Sequence, residues 1–153
     1  MDHHLAEINV ARLRRPLDAA ETAEFVAALE PINLIAERSP GFVWRLTDNS
    51  GQASTFVRLP EIEDPLMIVN YSIWSDLESF KHYVYKSGHA SYLRRKNDWF
   101  EPIEQPAVAC WWAPADSEPD AQDAFRRLEH LRNHGPTELG WPPNKPIPAL
   151  DAK

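Results

Sequence analysis

His82 and His89 stand seven residues apart in the run from Val69 to Phe100, VNYSIWSDLESFKHYVYKSGHASYLRRKNDWF. On one unbroken helix they would be about 10 Å apart, at a rise of about 1.5 Å per residue, too far to share a metal ion. His89 follows Gly88, a helix breaker, and so opens a renewed helical segment. An imidazole there offers a general base, a proton shuttle or an axial ligand to haem iron. Its structural alternative is to cap the helix start and hydrogen-bond to Tyr85. His82 reads as a half-exposed surface histidine at the edge of the same region. Asn9 and Asn70 are carboxamides inside apolar strand patterns. If buried, each needs a partner, supplied by a ligand, by water or by the backbone. Trp44, Trp74, Trp99, Trp111 and Trp112 are rings that could line a pocket for a planar ligand, or pack the core. Trp111 and Trp112, adjacent on a strand, must face opposite ways, one into a cleft and one towards a partner.

Other chemistries are excluded by what the chain lacks. It has one cysteine, Cys110, so neither an internal disulfide nor a thiolate metal cluster is expected. No glycine-rich phosphate loop and no His-Glu-x-x-His pair is present, and His3-His4 is a weak metal signal. Net charge is −7, which disfavours nucleic acid and anionic membrane as partners. Arg94-Arg95-Lys96 and Arg126-Arg127 read as solvated helix faces or ion pairs. The start, Met-Asp-His-His-Leu, lacks the basic and apolar regions of a signal peptide, and no apolar run is long enough for a membrane helix. A cytoplasmic protein is expected.

These side chains need elements to hold them. At 153 residues the chain is sized for one core. His4 to Leu13 alternates as a strand, with Ala6, Ile8 and Val10 on one face and Leu5, Glu7, Asn9 and Ala11 on the other. Asp18-Ala19-Ala20-Glu21 predicts a capped helix start, with Leu17 as staple. The helix runs to about Glu37, with Phe25, Val26, Leu29, Ile32, Ile35 and Ala36 inward and Pro31 within it. Phe42 to Thr47 reads as a second strand. Asp48 to Gly51 is a turn signal, and Ser54 to Arg58 a short return strand. Leu66 to Trp74 is the third strand. Ser75-Asp76-Leu77-Glu78 predicts a capping box, with Ser87 capping the segment after the break. Ala107 to Ala113 is the fourth strand. A last helix spans about Ala121 to His134, with Ala124, Phe125, Leu128 and Leu131 on one face, and Gly135-Pro136 stops it. Residues 1–136 thus form one domain, and the proline-rich residues 137–153 an extended tail.

The order β-α-β-β-α-β plus a C-terminal helix is the ferredoxin-like pattern, an α+β fold with both long helices on one face of an antiparallel sheet. The third and fourth strands are apolar or aromatic on both faces. The second face must therefore be covered, and a second copy of the chain, sheet facing sheet, is the expected cover.

This combination resembles the dimeric α+β barrel superfamily. Within it the chain is similar to an uncharacterised bacterial family, domain of unknown function 3291. The matching features are Asn9, Gly41-Phe42-Val43-Trp44-Arg45, Asn70-Tyr71-Ser72-Ile73-Trp74, Phe80 with Tyr85, His89, and Arg94 to Phe100. The similarity spans roughly Leu5 to Pro136, with the tail outside it. The family brings no activity. The superfamily implies a site between sheet and helices, and it includes cofactor-free monooxygenases and haem-using enzymes. Asn9 and His89 loosely match residues that haem-degrading members use, although the histidine register slips by a few residues.

Two functions follow. One is a small monooxygenase-like enzyme acting on an aromatic or polyketide-like compound, cofactor-free or haem-using. Its catalytic residues would be His89, Asn9 and Tyr85, and its ligand-binding residues Trp44, Asn70, Trp74, His82, Trp99 and Trp112. No metal is expected beyond a haem iron on His89. The other is a non-catalytic module that binds a small hydrophobic ligand or only assembles as a homodimer.

Overall fold

A computed structural model describes residues 2–48, 53 and 57–150. Strands β1 (His3–Leu13), β2 (Phe42–Arg45), β3 (Met67–Trp74), β4 (Phe100–Glu101) and β5 (Val108–Pro114) form one antiparallel sheet, curled as half a barrel. Its helices are α1 (Ala23–Arg38), α2 (Leu77–Lys86), α3 (His89–Leu93), α4 (Lys96–Trp99) and α5 (Ala121–His134). β1 lies at the centre, paired along one side with β3 and along the other with β5 and then β4, while β2 is the terminal strand beyond β3. The α+β expectation is met.

Period-two alternation sends the two sets of side chains on β1 to different surroundings. Ala6, Ile8 and Val10 join Val69, Tyr71, Ile73, Ala109 and Trp111 in the largest core cluster. That face is covered by α5, through Ala124, Phe125, Leu128 and Leu131. The sequence assigned this cover to a second copy of the chain. The structure supplies it within the chain, because Pro114 to Asp120 carries α5 back across the sheet. α5 matches its expected span, with Asp120 accepting from the amides of Gln122 and Asp123 as its cap. Gly135, at φ 78°, ends it by donating to the carbonyl of Leu131.

On the opposite face two separate clusters form. Leu5, Ala36, Trp74, Phe80, Cys110 and Trp141 pack at one end, and Leu13, Phe25, Ile68 and Trp99 at the other. Trp141 belongs to the tail, which docks on the domain. Its amide and carbonyl pair with Cys110, and Ile147 accepts from the indole N–H of Trp112 at 2.7 Å.

The helix starts differ from expectation. Asp18 caps nothing. A short 3-10 turn at Ala20–Thr22 comes first, and α1 begins at Ala23 with no side-chain cap. Asp76, not Ser75, caps α2 by accepting from the amide of Ser79 at 2.7 Å. Asn49 to Gly51 and Ser54 to Phe56 lie outside the described residues, and Val57 and Arg58 carry no strand. Gly41, at φ 83°, joins α1 to β2. A side chain there would strike Ser79 Oγ at 2.2 Å, so glycine lets β2 enter tight against the start of α2.

Candidate functional site

Between the two clusters on the helical face of the sheet the apolar packing is interrupted. The register of β1 with β3 sets Glu7 opposite Ser72 and Asn9 opposite Asn70. These four polar residues form the floor of a cavity of about 500 Å³. Its walls are Leu29 and Ile32 from α1, Phe80, Tyr83 and Val84 from α2, and His89, Tyr92 and Trp99 beyond. That size suits a small organic ligand.

Glu7 is the centre of the floor, and it is only 2% exposed. Asn9 Nδ2 donates to its carboxylate at 3.0 Å, and Ser72 Oγ donates at 2.8 Å. Ser72 Oγ in turn accepts from Trp74 Nε1 at 2.9 Å, and Asn70 Nδ2 approaches Asn9 Oδ1 at 3.5 Å. Every link is directed towards the carboxylate. Burial nevertheless dominates and pushes the Glu7 carboxyl from an ordinary 4.5 up to about 7, against the opposing hydrogen bonds of Asn9 and Ser72. It therefore exchanges a proton near neutral pH.

His89 lines the cavity from the helical side. The break expected at Gly88 is present, and Ser87 Oγ accepts from the His89 amide at 3.1 Å. His89 Nδ1 lies 3.1 Å from the carbonyl of Val84 and so carries the proton, leaving Nε2 with its lone pair. Burial lowers the His89 pKa and holds the ring neutral, against the Val84 hydrogen bond. The ring packs on Tyr83 at 4.8 Å rather than bonding to Tyr85, and Tyr83 stacks on Trp74 at 5.0 Å. Burial raises the Tyr83 pKa, the Glu7 charge raises it further and Arg45 opposes, so the phenol keeps its proton.

Of the expected site residues, Asn9, Asn70, Trp74, Trp99, His89 and Tyr85 line this cavity, Tyr85 at the rim and 59% exposed. Asn9 meets a side-chain carboxylate, not the backbone. Three expected site residues, Trp44, His82 and Trp112, lie elsewhere. His82 is exposed beside a shallow surface hollow with Ser79 and Lys86. Trp112 packs on Trp141 beneath the tail, and Trp111 packs on Tyr71 under α5, so neither faces the cleft.

Trp44 is displaced by a bulge. Phe42 pairs with Trp74 but Trp44 pairs with Ile73, so the register slips by one between them. A slip of one residue turns a side chain to the other face. Phe42 therefore packs on Trp74 on the helical face, while Trp44 packs on Tyr71 in the opposite core. The same bulge brings Arg45 into the cavity.

Sequence reasoning missed Glu7, Ser72, Tyr83 and Arg45. The available signal was period two: Glu7 shares a face with Asn9, and Ser72 with Asn70. Among the described residues no group of three or more His, Cys, Asp or Glu side chains could hold a metal ion. No helix among them is long and apolar enough to cross a membrane.

The family model described as domain of unknown function DUF3291 matches residues 4–153, so the match includes the tail. A solved structure of a protein of unknown function from Nitrosomonas europaea is similar in fold, with a TM-score of 0.50 at 14% identity, over 77% of this chain and 96% of that one. No curated protein matches the sequence.

Proposed function

Because this chain belongs to the family described as domain of unknown function DUF3291, whose name carries no reaction, we propose its function from the cavity. The protein is a small-molecule enzyme of the cytoplasm that removes a proton from an acidic C–H or O–H of a largely aromatic ligand. The observation that carries this reading is the buried Glu7 carboxyl, poised near pH 7 on the polar floor of a cavity walled largely by apolar and aromatic side chains. Asn9 and Ser72 fix the carboxylate, and the Tyr83 phenol is a donor suited to the oxyanion that forms. His89 Nε2 is a second acceptor on the opposite wall, and Tyr85 stands at the entrance.

A monooxygenase-like outcome needs little more. A methylene carbanion formed by Glu7 gives its electrons to O₂, the carbon-bound peroxide loses water, and the methylene has become a carbonyl. This chemistry needs no cofactor. Haem would find an axial ligand in His89. The floor does not fit it, because the carbon face of a porphyrin would cover the Glu7 carboxyl and its polar neighbours without offering them a hydrogen bond.

Deuterium exchange into anthrone under nitrogen, followed by NMR, separates proton removal from oxygen chemistry. Catalysed exchange is expected, slowed by about 10²–10⁴-fold in Glu7→Gln. His89→Ala should also slow exchange with the fold retained, while His82→Ala should match the parent. Binding of such compounds without exchange would support the non-catalytic module instead. A Soret band in untreated protein would overturn the cofactor-free reading.

A further inference from the structure

Arg45 has an unusual environment, and its role here rests on the cavity being the ligand site. Its Nε donates to Glu37 Oε1 at 2.8 Å, which fixes the plane of the guanidinium. Its Nη1 is buried and has no hydrogen-bond partner. A buried N–H left unpaired is destabilising, and more so on a charged group. Arg45 lines the cavity, and an unpaired N–H on such a residue calls for an acceptor from outside the chain.

The charges around the cavity choose which acceptor. Arg45 and Lys96 line it as cations, Glu7 is its lining carboxyl, and His89 is neutral. Counting Glu37, which pairs with Arg45, these charges balance with Glu7 ionised and leave one positive charge in excess with Glu7 protonated. A planar guanidinium already tied at Nε offers its remaining N–H groups as a fork, and a carboxylate fits that fork better than a single carbonyl oxygen does. The cavity walls include four rings: Phe25, Tyr83, Tyr92 and Trp99.

We infer that the ligand is an aromatic carboxylate, its acid group held by Arg45 and its rings lying between Tyr83 and the α1 wall. Arg45 would thereby set specificity, anchoring one end of the molecule while the acidic position lies over the floor residues.

Calorimetric titration of the full chain at pH 7.5 with two probes tests this. The probes are 1-hydroxy-2-naphthoate and 1-naphthol, which share the rings and the hydroxyl and differ in the carboxylate. The acid should bind about tenfold more tightly, the worth of one charge-assisted hydrogen bond. In Arg45→Gln the ratio of the two Kd values should fall to about one, with Arg45→Met as the second variant if the first does not fold. Equal affinities in the unmodified protein, or a preference that survives in the folded variant, would overturn the inference while naphthol binding upholds the cavity as a ligand site. If neither probe binds the folded protein, the inference and the ligand-site reading both fall.

Discussion

Glu7 occupies a position where a carboxylate lowers the stability of the fold. Its pKa is raised, from 4.5 to about 7, so the folded state holds its proton more tightly than the unfolded chain does. Between those two values the folded state is protonated and the unfolded state is not, so stability falls as pH rises through that window. At about 1.4 kcal/mol per unit the loss is on the order of 3 kcal/mol, complete above pH 7. His89 acts in the other direction. Its lowered pKa keeps it neutral in the fold, so stability falls as pH drops below the ordinary 6.5. The two slopes oppose each other in the parent, and a variant is needed to separate them. Glu7→Gln should be close to the parent at pH 5 and more stable by about 3 kcal/mol at pH 8, measured by urea unfolding. A stability difference that does not change with pH would show that Glu7 is not proton-linked to folding. Asn9 and Asn70 were legible as candidates because a carboxamide in an apolar strand needs a reason. Glu7 was not, because a glutamate at alternate positions is also what a solvent-facing strand shows. Only the pairing across to Ser72 and the helices above turn that face into a floor, and both are contacts distant in sequence.

At the scale of elements, local signals were the most legible. The last helix was placed at its full span because Ala124, Phe125, Leu128 and Leu131 recur at helical spacing and Gly135 stops the run. The break at Gly88 that sets His89 at a helix start was legible for the same reason. The start of α1 was not, since the Asp18 pattern is satisfied by a tight turn before the helix begins. Nor was the bulge in β2, which depends on pairing with β3 and reverses the expected place of Trp44. α5 also shows why apolar strands alone did not determine the cover. Strand patterning reveals that a face is buried, and only the path of the chain reveals by what. Leu128 is fully buried between α5 and the sheet. Leu128→Ala should cost about 2–5 kcal/mol. A melting temperature equal to the parent's would show that α5 does not hold the sheet.

Across the whole molecule, helices cover one face of the sheet and α5 the other, so a dimer with facing sheets would have to displace one of them. The homodimer proposal then falls to another surface, such as the terminal strand β2, where Val43 is 43% exposed. Light scattering at micromolar concentration tests it, and a monomer mass would end it. The tail is the remaining global feature. Its proline content reads as an extended strap, but what the strap does depends on one residue. Trp141 is fully buried, paired through its backbone with Cys110 and packed on Trp112 at 5.9 Å. It closes the cluster that holds Trp74, and Trp74 carries the hydrogen bond to Ser72 on the cavity floor. Its own Nε1 is buried with no partner, so the indole is present for its volume and at some cost. Two variants separate these effects. Trp141→Ala removes both ring and N–H and should cost about 3–5 kcal/mol. For a chain of this size that lowers Tm on the order of 10 °C. Trp141→Phe keeps most of the ring and removes the unpaired donor, so its loss should be well under half of that. Similar losses in the two variants would show that the indole nitrogen has a partner. An unchanged Tm in Trp141→Ala would show that the strap is not needed to hold the sheet end at which Trp74 and the cavity floor are set.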